Sequence, residues 1–130
     1  MINDNIAALC MVHVADTDQE AYDAAAREGE WFVAKAEDLY SPWQGREVPD
    51  SYRFAVDAVQ TERVNKTADD HIESGAFAMG SPETVIKTIE KYREAGVDQI
   101  LCFMQMGNLP HSNIMNSIRL FGKYVIPHFL

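Results

Sequence analysis

Three apolar runs, each leading at once into a helix-start signature, constrain this chain more than any other feature. Residues 6–15, from Ile6 through Met11, Val12, His13 and Val14 to Ala15, are almost continuously apolar. Such a run suits a parallel strand covered on both faces, because a half-exposed strand would alternate. It passes directly into Asp16, Thr17, Asp18, Gln19 and Glu20, where Thr17 and Glu20 have the spacing of a capping box and the aspartates suit a helix amino terminus. Apolar or small residues then recur at helical spacing, at Tyr22, Ala25, Ala26, Gly29, Phe32, Val33, Ala36, Leu39 and Tyr40, until Pro42 ends the pattern.

The second run is short, residues 75–79, and is followed by Gly80, Ser81, Pro82 and Glu83. Ser81 is placed to cap a helix whose first position is Pro82. Val85, Ile86, Ile89 and Tyr92 supply that helix with an apolar stripe, and Gly96 supplies its left-handed stop. The third run, residues 97–104, is again too apolar for a half-exposed strand, so the first and third strands are both expected to be central. Gly107, Asn108, Leu109 and Pro110 then turn the chain into a last helix with Ile114, Ile118, Phe121 and Val125 on one face and Pro127 near its end. Between the first helix and the second strand, residues 41–74 read as a variable insertion containing a short helix over about residues 52–63.

Strands alternating with helices through short links predict an α/β fold with a parallel sheet and right-handed crossovers. Two architectures satisfy this order: a doubly wound open sheet and a segment of a (β/α)8 barrel. A lone three-stranded parallel sheet leaves long unpaired edges, so the chain is expected either to pair with another copy or to form part of something larger.

Length and charge narrow the function. A chain of 130 residues with 47% apolar content fits one domain, residues 1–130, with a real core. Its formal net charge of −9 opposes binding to nucleic acid or to an anionic membrane surface. No apolar run approaches a membrane span, and the first residues have neither a basic segment nor a cleavage site, so the expected compartment is the cytoplasm. Cys10 and Cys102 lie inside apolar strands without partners at metal-ligand spacing. They read as buried thiols, and no metal site is expected.

The stretch from Gly80-Ser81-Pro82-Glu83-Thr84-Val85-Ile86 through Glu94-Ala95-Gly96-Val97-Asp98-Gln99-Ile100, then Gln105-Met106-Gly107 and Ser117-Ile118-Arg119-Leu120-Phe121 to Val125-Ile126-Pro127-His128-Phe129, resembles the carboxyl end of the bacterial-luciferase-like flavin-dependent monooxygenases. The upstream Val14-Ala15-Asp16-Thr17-Asp18-Gln19-Glu20-Ala21 is similar to the same family's junction between the sixth strand and its helix. The resemblance implies a partial TIM barrel, about three C-terminal βα units, whereas a full barrel takes about 250 residues. It further implies reduced flavin mononucleotide (FMN) and oxygen acting on a small organic substrate, with the deazaflavin F420 as the cofactor of a cousin branch. Most of the family's flavin contacts come from earlier strands, so the isolated chain is expected to be inactive. The alternative is a non-catalytic oligomeric assembly or binding module derived from the same fold.

In a barrel, functional groups sit at the carboxyl ends of strands. That rule selects His13 and Asp16, Gly80 and Ser81, and the stretch from Met104 to Asn108. His13 is the candidate proton donor or substrate contact, although a histidine late in a buried strand also reads as structural. Gln105 offers an amide to a flavin ring edge, Met104 and Met106 offer an apolar wall, Gly107 lies in the same turn, and the Ser81 helix start offers amides to an anion. Plain core packing is the competing reading for the methionines, and Glu83 in the first turn weighs against an anion at Ser81. His111 and His128 read as solvated surface. Trp43, Tyr52, Phe54 and His71 fall where family members carry a mobile segment over the active site, or else simply pack.

Overall fold

The longest apolar run folds as strand β1 (Ala7–Val14), and in the computed structural model, which describes residues 4–40, 46–62 and 66–130, it has a parallel neighbour on each side. Strand β2 (Phe77–Gly80) pairs with its second half and strand β3 (Gln99–Phe103) with its first half, giving one open sheet in the order β2-β1-β3. The central place of β1 follows from its composition: Val12 and Val14 are buried on one face and His13 on the other.

The third strand does not share that central place. β3 lies at an edge, where Leu101 is 52% exposed beside its register partner Leu9 at 62%. An apolar run reports that a strand is to be covered, but it does not count the strand's neighbours, and three strands have only one centre.

The order also shapes the layers. The chain steps from β1 to β2, then back past β1 to β3. Two right-handed crossovers stepping in opposite directions put their helices on opposite faces, and the core divides accordingly. On one face helix α1 (Asp18–Tyr40) and a short helix α3 (Ala68–Ser74) cover Phe77 and Met79 through Ala25, Ala26 and Ala68. On the other face helix α4 (Pro82–Glu94) packs Val85 and Ile89 against Cys10, Val12, Val14 and Ala78.

The local signals explain where the elements begin. At α1 the Thr17 N–H donates to Glu20 Oε2 at 3.1 Å and the Glu20 N–H to Thr17 Oγ1 at 3.2 Å, completing the capping box. Ser81 caps α4 with Pro82 in its first turn, and Gly96 follows the helix at φ 84°. The insertion holds helix α2 (Asp50–Glu62), close to the expected span, and also α3, which apolar periodicity does not reveal in seven residues. Its signals are polar instead: a Thr67–Asp70 capping box and Gly75 at the carboxyl end. Trp43 and Pro42 lie outside the described residues.

The last helix, α5 (His111–Leu120), continues through a π-helical turn at Phe121–Val125 and a 3-10 turn at Ile126–His128. Its buried face differs from the expected stripe, for Ile118 is 43% exposed while Ser117 is fully buried beside Val125. Ile118 precedes the π turn, and the face that meets β1 there runs through Ser117, whose hydroxyl accepts the Val14 N–H, so its neighbour Ile118 is turned outward.

Candidate active-site cleft

The strand order reverses at β1, from which the chain steps to β2 on one side and then back past it to β3 on the other. In open α/β sheets this switch point is where a crevice forms between diverging loops. A cleft of about 240 Å³ lies there, lined by His13, Asp16, Glu20 and Ala24 from the β1 side and by Asn113 and Asn116 from α5.

β1 positions His13 through its register opposite Met79 of β2. His13 is 2% exposed, and its Nδ1 is buried with no hydrogen-bond partner among the described residues. Burial pushes its pKa below the ordinary histidine value, so the ring is neutral at pH 7. The other wall is held by an unusual join. Ser117, fully buried, accepts the Val14 N–H at 2.8 Å through its Oγ, which anchors α5 over the end of β1 and brings Asn113 and Asn116 to the cleft.

The remaining candidates are dispersed. Gln105 is exposed where the chain emerges from β3 and does not line the cleft. Met104 packs on the α4 side of the sheet, whereas Met106 is fully buried among Ala25, Phe77, Met79 and Leu109 on the α1 side, so the two methionines do not form one wall. Gly107, at φ 49°, lies against Glu28, whose carboxylate accepts the Asn108 N–H at 2.6 Å.

Ser81 has a partner of its own. Its backbone N–H donates to Asp18 Oδ1 at 2.6 Å, and the Thr84 hydroxyl donates to Asp18 Oδ2 at 3.0 Å. The first helical turn of α4 therefore already carries a carboxylate where an anion would sit, and Gly80 leaves the room, since a Cβ there would come within 2.7 Å of Asp18 Oδ1. The Ser81 N–H and the Thr84 hydroxyl hold the Asp18 carboxyl below the usual carboxylate range. Because the folded pKa is the lower one, this contribution is present above the ordinary aspartate range and is lost as pH falls below about 4. Asp18→Ala is expected to cost about 1 kcal/mol at pH 7 and to flatten the acid limb of stability against pH, read by urea unfolding at pH 7 and pH 3.

Of the insertion's aromatic residues, Tyr52 and Phe54 are exposed and His71 is buried, stacked on Phe77 with ring centroids 4.6 Å apart. None of these three lines the cleft. His111 and His128 are exposed, the latter within 2.9 Å of Glu90. Cys10 and Cys102 are free thiols in neighbouring register positions, both pushed up by burial. Among the described residues no cluster of His, Cys, Asp and Glu is arranged to hold a metal, and no helix is long and apolar enough to cross a membrane. Asn113 and Asn116 were not apparent from sequence as site residues. Their one signal is a pair of carboxamides at i and i+3, next to a serine on the covered face of the helix.

The sequence pattern of the luciferase-like monooxygenases matches residues 5–99. The chain belongs to that family. Among solved structures, this luciferase-like chain is similar to the monooxygenase RslO1 from Streptomyces bottropensis, at 19% identity over 100% of this chain and 33% of that one, with a TM-score of 0.63. It is also similar to the oxygenating constituent of 3,6-diketocamphane monooxygenase from the CAM plasmid of Pseudomonas putida, a type II Baeyer–Villiger monooxygenase in complex with FMN. That likeness has 22% identity over 95% of this chain and 33% of that one, with a TM-score of 0.63. At these identities the likeness is one of fold, and the chain spans about a third of the length of the structures it matches. No curated protein sequence matches it.

Proposed function

We propose that this chain forms the carboxyl-terminal part of a flavin-dependent monooxygenase that uses reduced FMN and oxygen on a small organic substrate, and that it contributes a polar wall of the pocket without turning over alone. The observation that carries this reading is the buried, neutral His13, its Nδ1 without a partner among the described residues, beside a polar cleft at the sheet's switch point. Nearly all buried polar groups have a hydrogen-bond partner, and one without a partner in the protein calls for an account, of which a role at a working site is one.

The residues present do not fit a whole FMN. Sites for ligands of that size occupy roughly 300–1,000 Å³, and this cleft has about 240 Å³. Its carboxylates, Asp16 and Glu20, oppose a phosphate, and the α4 amino terminus is taken by Asp18. On this reading the phosphate and most of the ring are held by segments outside this chain, while His13 meets the substrate side and the exposed Gln105 reaches a ring edge. The family's deazaflavin F420 is the alternative cofactor, and the cytoplasm is the compartment the reading implies.

The exposed Leu9–Leu101 pair and the outer edge of β3 favour a partner along that edge, whether a complementing barrel half or a second copy of the chain. A chain that only pairs with itself is the rival, non-catalytic reading. FMN fluorescence separates the two. The chain alone is expected to leave micromolar FMN unquenched, and quenching is expected once the family's missing strands are supplied as a second polypeptide. Micromolar binding by the chain alone would show its site to be complete. A mixture that binds no flavin, with light scattering reporting only self-association, would leave the assembly reading in possession.

A further inference from the structure

We draw no further inference here: the strongest candidate, the apolar groove of about 420 Å³ between α4, the open edge of β3 and residues 126–130, lined among others by Ile89, Ile100, Cys102, Phe121 and Phe129, is an unpartnered face, and nothing in the structure shows what covers it.

Discussion

Phe77→Ala is expected to lower the unfolding free energy by about 3–5 kcal/mol, the range for truncating a large buried aromatic. The side chain is 1% exposed at the start of β2 and joins three elements. Its ring stacks on His71 of α3, and it lies so close to α1 that a Cβ at Gly29 would come within 2.8 Å of it. Alanine would remove the ring from beneath two helices that cannot both settle into the void, so the cost combines lost burial with a cavity. Domains of this size are stable by only about 5–15 kcal/mol, so the variant should lie near the edge of folding, with a large fall in the urea midpoint. Phe54→Ala, at a side chain 75% exposed, should change stability by less than about 0.5 kcal/mol. Similar losses for the two variants would mean that α1 and α3 do not rest on β2 as described.

Ser117→Ala should cost about 1–3 kcal/mol although it removes a single oxygen, because it leaves a buried backbone N–H without a partner. β3 ends at Phe103, opposite Met11, so on that side of β1 nothing in the sheet is available to the Val14 N–H. Helix α5 closes the gap with the Ser117 hydroxyl at 2.8 Å. Faster hydrogen exchange at the Val14 amide should accompany the loss, and Ser112→Ala, on the exposed start of the same helix, should show neither effect. An unchanged Val14 amide would remove Ser117 from its role as the join between β1 and α5.

The sequence was most legible where a local rule has one outcome. The β1 run, the Thr17–Glu20 capping box, the Ser81–Pro82 helix start and the Gly96 stop each depend on residues within a few positions of one another, and each stands where local chemistry puts it. The candidate site was legible only in part. The rule of strand carboxyl ends led to His13 and Asp16, which do line the cleft. It also selected Met104, Met106, Gln105 and Ser81, which lie at strand ends without converging on it, because a position along a strand does not specify which face the side chain meets or which neighbour has already claimed it. Asp18 illustrates the second point: it lies 63 positions from Ser81 and occupies the helix end that Ser81 caps.

What this sequence determined by itself was therefore the three strands, their order and the helix that follows each of them, since those signals depend on residues close together in the chain. The tertiary structure alone decided that β3 lies at an edge, that α1 and α4 cover opposite faces, and that Asn113, Asn116 and Ser117 come to β1. Those outcomes depend on pairings across 92 or more positions, such as the Ile6 N–H with the Asp98 carboxylate and the Val14 N–H with the Ser117 hydroxyl. A local pattern can require that such a group be satisfied, but only the folded chain selects the partner.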